Sequence, residues 1–424
     1  DINISGDFKL LEERFGRNKF VGYQKDRAET KILALLNEEY RNLESLSGRG
    51  WVMLEETPFY AESGGQVGDR GEIIIDDGES NIKVLDTKKF NSLNLSLVDT
   101  KGTILRVGDR VEAVVDKGRV EIARHHSATH LLHSALENIL GEHITQAGSL
   151  VEESRLRFDF THPKPLSREE IKEVESWVNR KIEMAIESKS EEMALDIAKK
   201  RGAKALFNQK YGERVRVVSF DDLSVELCGG IHVKNSSEIA LFIITKESGV
   251  SAGVRRVEAV CSRSAKEFIN RLREEREKIV RELKSPEPLL GIKRLKSQIK
   301  GLKEELESVV SSSKKELKIE SIGEINVIVD RVESGDIKKI VDEVKNRYES
   351  VAVMLFMKRG DRVLIASGSK NTPIKAGEWI KEVAPIVGGG GGGRADFAQA
   401  GGRDSSKIDE ALKVAKEYII KKSK

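Results

Sequence analysis

The pair His126-x-x-x-His130, answered far downstream by Cys228-x-x-x-His232, constrains this chain more than any other feature. On a helix, a spacing of four places both imidazoles on one face, one turn apart. Cys228-Gly229-Gly230-Ile231-His232 offers a thiolate and an imidazole from a tight glycine turn. Three imidazoles and one thiolate suit a borderline-soft ion of tetrahedral preference, so the expected cofactor is one Zn2+ per chain. The first pair by itself describes only residues of a helix face, and Cys228 by itself only a small buried apolar group. The second half-site turns the reading toward a metal.

At 424 residues the chain is too long for one core, and a prior of about 150 residues per domain suggests three. Basic and acidic residues nearly cancel, 73 against 70, so the net charge of +3 does not mark a nucleic-acid binder. Such a role needs local patches. Two cysteines, one of them in the candidate site, exclude a disulfide framework and point to a reducing compartment, so a cytoplasmic location is expected. No apolar run approaches the roughly 18 residues of a membrane span, and no signal-peptide pattern opens the chain. The first residue is Asp1, not Met, which agrees with a piece of a larger protein.

The expected fold class is a multidomain α+β chain in four segments. Residues 1–117 read as a helical lead-in and a small β-barrel or sandwich. Lys31-Ile32-Leu33-Ala34-Leu35-Leu36-Asn37-Glu38-Glu39-Tyr40 has apolar residues at helix spacing. Short strands follow at 51–54, 72–75, 82–85 and 111–115, separated by turns such as Asp76-Asp77-Gly78 and Val107-Gly108-Asp109. Residues 118–262 read as an α+β zinc-binding core, with helices at 125–140 and 167–188 and strands at 155–160, 214–218 and 240–245. Residues 263–320 lose all strand signals. A helix over 264–284 stops at Ser285-Pro286-Glu287-Pro288, and a second carries Ile292, Leu295, Ile299, Leu302, Leu306 and Val309 in alternating steps of three and four. An antiparallel helical hairpin is expected, its seam covered within the hairpin or by a second subunit. Residues 321–424 read as a C-terminal Gly-rich α/β domain: strand 326–330, helix 336–348, strands 351–356 and 362–366, then a helix at 376–387. Six glycines, 388–393, follow inside the domain, where a structured binding loop is expected in preference to a flexible linker.

Taken in order, these blocks resemble the C-terminal half of the alanyl-tRNA synthetase family, from its editing region onward. The matching pieces include Glu56-Thr57-Pro58-Phe59-Tyr60-Ala61-Glu62-Ser63-Gly64-Gly65-Gln66-Val67-Gly68-Asp69-Arg70-Gly71, His126-Ser127-Ala128-Thr129-His130-Leu131-Leu132-His133, Thr145-Gln146-Ala147-Gly148-Ser149-Leu150-Val151 and Cys228-Gly229-Gly230-Ile231-His232-Val233. Arg155-Leu156-Arg157-Phe158-Asp159-Phe160, Gly253-Val254-Arg255-Arg256-Val257-Glu258-Ala259-Val260 and Phe20-Val21-Gly22-Tyr23 add to them. The Gly-rich block ending in Arg394-Ala395-Asp396-Phe397 looks like the family's C-terminal module. The family often has Asn where this chain has His125; spacing favours His126 as the ligand.

The resemblance implies an aminoacyl-tRNA deacylase that edits tRNA(Ala) mischarged with serine or glycine, its aminoacylating domain lying upstream. It implies metal ligands His126, His130, Cys228 and His232. A pocket shaped for a methyl group rejects glycine or serine poorly, whereas a second site that hydrogen-bonds a hydroxyl leaves alanine with unpaired polar groups. Thr129 and Gln146 are the expected readers of that hydroxyl; their bland alternatives are a helix back-bond and a solvent-facing amide. Asp69 and Gln66 are expected to order the pocket from the barrel side, or else to be ordinary turn residues. Arg255, Arg256 and Arg394 are expected at tRNA phosphates, an exposed arginine being otherwise a solvated surface group. Four protein ligands describe a closed zinc site, so whether zinc activates water or shapes the pocket stays open. The implied partners are tRNA and a second copy of the chain, through the hairpin and the C-terminal domain, with no membrane. Two other readings share these motifs: a free-standing trans-editing deacylase, and a non-catalytic RNA-binding and dimerisation module with structural zinc.

Overall fold

In a computed structural model, which describes residues 5–75, 80–204, 212–312 and 316–422 (side chains of 5–7 and 307–312 excepted), the N-terminal part is a helix laid on a closed barrel. The helix is α1 (Ser5–Phe15) and the strands are β1 (Arg27–Leu36), β2 (Arg49–Leu54), β3 (Gly71–Ile75), β4 (Ser80–Phe90), β5 (Leu93–Asp99) and β6 (Arg110–Val115). They lie in the order β6-β3-β4-β5-β2-β1, and β6 pairs again with β1, so six antiparallel strands close on themselves. Closure removes the free edges that an open antiparallel sheet would expose.

The helix expected over 31–40 is instead mostly strand β1. A register shift between Ile32 and Ala34 inserts an extra residue against β2, so Ile32 and Leu35, three apart, both point into the barrel. Ala34 and Leu36 face outward, under Phe8 and Leu11 of α1. A bulge thus imitates helical spacing in a strand buried on both faces. The expected turn at Asp76-Asp77-Gly78 lies outside the described residues.

The next segment is α+β. Helix α2 (Arg119–Leu140) is followed by β7 (Gln146–Val151), β8 (Leu156–Thr161) and α3 (Arg168–Glu183). Then come β9 (Ser188–Ala194), β10 (Arg214–Phe220), β11 (Ser224–Leu227), β12 (Phe242–Ser251) and β13 (Val254–Cys261). A four-stranded antiparallel sheet, β7-β8-β13-β12, supports α2 and α3, and β9-β10-β11 forms a second small sheet. Ser167 and Glu170 make a reciprocal capping box that starts α3. That helix ends at Glu183, earlier than the expected 188, because Ala185 turns left-handed (φ 54°) and Ser188 already pairs in β9.

Helices α4 (Ser262–Leu283) and α5 (Pro288–Ser312) flank Ser285-Pro286, as expected. The chain divides into two compact units at Lys278/Ile279, within α4. Along α5 the seam is open: Ile292, Leu295, Ile299, Leu302 and Leu306 are 39–67% exposed. The Val309 side chain lies outside the described residues.

The second unit contains a six-stranded sheet: β14 (Ile319–Ile322), β15 (Ile325–Val332), β16 (Val351–Arg359), β17 (Arg362–Lys370), β18 (Gly390–Gly393) and β19 (Phe397–Gly402), ordered β14-β15-β16-β17-β19-β18. Strands β15 and β16 run parallel through the crossover helix α6 (Ile337–Arg347), the expected βαβ unit. Val351, Val353 and Leu355 pack toward α6, while Ala352, Met354 and Phe356 pack toward α7 (Ala376–Val383) and α8 (Ile408–Lys422). Burial of both faces explains the uninterrupted apolar run.

The hexaglycine differs from expectation. It is neither linker nor open loop: Gly390–Gly393 forms strand β18, paired with β19 at the sheet's edge. A Cβ on Gly391 would lie 2.2 Å from the Gln399 carbonyl oxygen, whereas one on Gly390 would meet nothing within 4 Å. Gly391→Ala is therefore expected to destabilise the protein by about 1–3 kcal/mol, and Gly390→Ala to stay within about 0.5 kcal/mol. Urea unfolding of both variants checks the contrast, and equal losses would refute the close approach.

Candidate metal centre and its cleft

The first residue of α2 ties the helix to the barrel. The Arg119 guanidinium is buried against Asp69, its Nε 3.0 Å from Asp69 Oδ2 and its Nη2 closer still. It also donates to the carbonyls of Gly22 and Pro58, and Nη1 reaches Asp26 Oδ1 at 3.2 Å. Asp69 Oδ2 in turn accepts the Tyr60 amide at 2.6 Å. Two turns further along α2, His126 and His130 emerge on one face, as the spacing requires.

A second wall is the barrel turn Ser63-Gly64-Gly65-Gln66. Both glycines have positive φ (61° and 88°), which L side chains rarely adopt, and the turn is stitched to β7 by the Val151 amide on the Gly65 carbonyl. This sets Gln66, fully buried, with Oε1 2.9 Å from the Ile231 amide and 2.8 Å from His126 Nδ1. An amide N–H can only donate, so that Gln66 atom is the acceptor and His126 Nδ1 bears the hydrogen. The lone pair of His126 is thereby fixed on Nε2, 3.4 Å from Cys228 Sγ.

The third wall is the Cys228–His232 turn, held carbonyl by carbonyl. Arg216 Nη1 donates to Cys228 O and Gly230 O at 2.9 and 2.8 Å, and the Tyr23 hydroxyl donates to Gly229 O at 2.6 Å. Arg216 lies over the Tyr23 ring, 4.1 Å from its centroid. Ser127 Oγ accepts the Val233 amide and lies 3.1 Å from His232 Nδ1, while His232 Nε2 sits 3.2 Å from Cys228 Sγ. The four donor groups of His126, His130, Cys228 and His232 all fall within 4.8 Å of one another.

Burial sets the electrostatics. It lowers His126 to about 3 and lowers His130 and His232 as well, so the imidazoles are neutral, the form that binds a metal. Burial also pushes the Cys228 thiol up to about 12, a value that a cation would reverse. Three neutral imidazoles and a thiol within one ångström-scale cluster fit zinc in donor chemistry and number. Burial alone would raise Glu226, but its contacts with His130 and His133 and the nearby Lys204 ammonium outweigh it and lower its carboxyl.

The cluster opens into a cleft lined by Tyr60, Ser63, Thr129, Gln146, Ser149 and Glu226 together with His126, His130 and Cys228. Gln146 donates from Nε2 to Ser149 Oγ at 2.9 Å and is half-buried, not solvent-facing. Thr129 makes the helix back-bond, its Oγ1 donating to His125 O at 2.9 Å, while still lining the cleft. His125 points elsewhere, with Nε2 accepting the Cys261 amide. Asp69 does not line this cleft; it anchors Arg119 and so positions the ligand helix from the barrel side. Arg255 and Arg256 are engaged by Glu247 and Asp159, the latter pair bidentate, because β-strand neighbours place those carboxylates beside them. Arg394 is largely exposed, 3.3 Å from Asp396. Arg119, Ser127, Arg216 and Glu226 were not singled out by the sequence; only Glu226, two residues before Cys228, carried a local signal.

A model described as "Threonyl and Alanyl tRNA synthetase second additional domain" matches residues 215–258, which include Cys228 and His232. One for "tRNA synthetases class II (A)" matches 2–119, which here hold α1 and the barrel, and a DHHA1 domain model matches 324–421. The alanine–tRNA ligase of Sulfurovum sp. (strain NBC37-1) is 60% identical over 419 residues, 99% of this chain. The chain belongs to the alanyl-tRNA synthetase family. The ligase of Sulfurimonas denitrificans is 54% identical over 421 residues. The chain spans about half the length of these relatives, 48% and 49%, and its modules fit the family's C-terminal portion. The solved C-Ala domain of Aquifex aeolicus alanyl-tRNA synthetase is 30% identical, matching 24% of this chain and 96% of that one with a TM-score of 0.23. Among the described residues no helix is long and apolar enough to cross a membrane.

Gly230 has the tightest surroundings in the cluster: a Cβ there would sit 2.1 Å from His126 Cε1 and 2.7 Å from Gln66 Oε1. Gly230→Ala should displace the His126 ring and lower the metal bound per chain. Elemental analysis of the purified variant checks this, and wild-type metal content would refute it.

Proposed function

We propose that this chain hydrolyses the ester bond of tRNA(Ala) mischarged with serine or glycine, in a cleft whose metal ligands are His126, His130, Cys228 and His232. The observation that carries the reading is the convergence of those four donors beside the polar wall of Thr129, Gln146 and Ser149. One zinc ion per chain, when bound, supplies Lewis acidity and stabilises negative charge. Gln66 and Ser127 fix the imidazoles from behind, so the donor geometry is set by the fold before any substrate arrives.

Selectivity follows from the polar wall. Thr129 spends its hydrogen on His125 O, so its oxygen is left only as an acceptor, and the Gln146 amide and Ser149 hydroxyl line the same cleft. A seryl hydroxyl satisfies these groups. An alanyl methyl leaves them unpaired, and glycine leaves space for water to pair them. The proposed partner of the second unit is the tRNA body, approached by the exposed Arg394. The open α5 seam is proposed to pack against a second copy, giving a homodimer. The proposed location is the cytoplasm.

Deacylation of Ser-, Gly- and Ala-tRNA(Ala) by the purified chain tests the reading directly: the first two should be hydrolysed and the third spared. Gln146→Ala should slow Ser-tRNA hydrolysis roughly tenfold or more while changing Gly-tRNA hydrolysis little. Hydrolysis surviving complete metal removal would take the metal out of the mechanism. For the seam, sedimentation should show a dimer at micromolar concentration and a monomer for Leu295→Lys with Leu302→Lys.

A further inference from the structure

Among the described residues that line the cleft, Glu226 is the only carboxylate. It sits in β11, two residues before Cys228, and its backbone is pinned: the Lys204 amide donates to the Val225 carbonyl and the Leu227 amide donates to the Lys204 carbonyl. Its side chain is only 10% exposed, yet its oxygens are thinly partnered. Oε2 lies 3.5 Å from His130 Nε2, at the limit of a useful contact, and Oε1 lies 3.3 Å from His133 Nδ1 and accepts the Ser224 hydroxyl at 3.2 Å. A carboxyl group has about four acceptor sites, so these three contacts leave Glu226, which lines the cleft, with accepting capacity to spare. A thinly partnered carboxyl group in a buried cleft pairs best with a cationic N–H donor.

We infer that Glu226 receives the α-ammonium group of the substrate, so that the cleft selects esters of amino acids whose amine is free. This rests on the proposed hydrolysis of aminoacyl-tRNA and adds what that reading lacks, a group for the one charge every aminoacyl ester carries next to its reacting carbonyl. With the ammonium on Glu226 and the side chain toward Thr129 and Gln146, the ester is held at two of its α-substituents. Orientation then follows from two contacts of different chemistry. An acyl group that lacks the amine, or carries it blocked as an amide, leaves the carboxylate without its partner.

The test compares seryl-tRNA(Ala) with its nitrous-acid deamination product, in which a hydroxyl replaces the amine at the same size. The wild-type chain should hydrolyse the seryl ester at least roughly tenfold faster than the hydroxy ester, as for a charge-assisted hydrogen bond. In Glu226→Gln that ratio should fall toward one through loss on the seryl ester, with metal per chain unchanged. A wild-type ratio near one overturns the inference while leaving the hydrolysis itself established. A variant that slows both esters equally, or loses its metal, makes Glu226 a support for His130 and His133 only and also overturns it. A wild-type chain that cleaves neither ester defeats the underlying reading and the inference with it.

Discussion

The site depends on one buried ion pair. Arg119 is 6% exposed and Asp69 1%, and the guanidinium uses its fixed fork of donors on Asp69, two barrel carbonyls and Asp26. A buried guanidinium is tolerated only when its donors are met, and removing one partner of such a pair costs about 3–5 kcal/mol. Because Arg119 opens α2, meeting those donors fixes where the helix starts relative to the barrel. His126, on α2, and Gln66, on the barrel, then face each other at hydrogen-bond distance without any local sequence relation between them. The barrel therefore does more than precede the core: it supplies the atom that sets the tautomer of a ligand histidine.

The donors themselves were legible because their chemistry is written in short spacings. Four residues along a helix, and a cysteine and histidine across a glycine turn, survive translation into three dimensions almost unchanged. The βαβ unit and most barrel strands were equally plain, since period-2 runs and turn residues are local signals. What failed were features decided by non-local pairing. The bulge at Ile32–Ala34 exists only against β2, so the residues it places on one face mimic a helix. The six glycines read as a binding loop until β19 is seen beside them, where Gly391 is needed for the approach of a neighbouring backbone. Arg119, Arg216 and Ser127 act on partners far away in sequence, and a lone Arg or Ser carries no pattern.

The electrostatics of the cleft explain why ligands of these types are gathered around one acid. Burial drives His126, His130 and His232 toward neutrality and Cys228 toward the thiol, leaving Glu226 as an anion among uncharged donors. On the proposed reading, a bound divalent ion would favour the thiolate of Cys228, while Glu226, which is not among the metal ligands, stays available to the ammonium group. Entry of an ammonium group adds one positive charge beside the ester carbonyl, where hydrolysis builds negative charge on oxygen. The amine would thus be bound and used: the charge that Glu226 selects is also one that favours the reaction over its ground state, because its attraction grows as the carbonyl oxygen becomes negative.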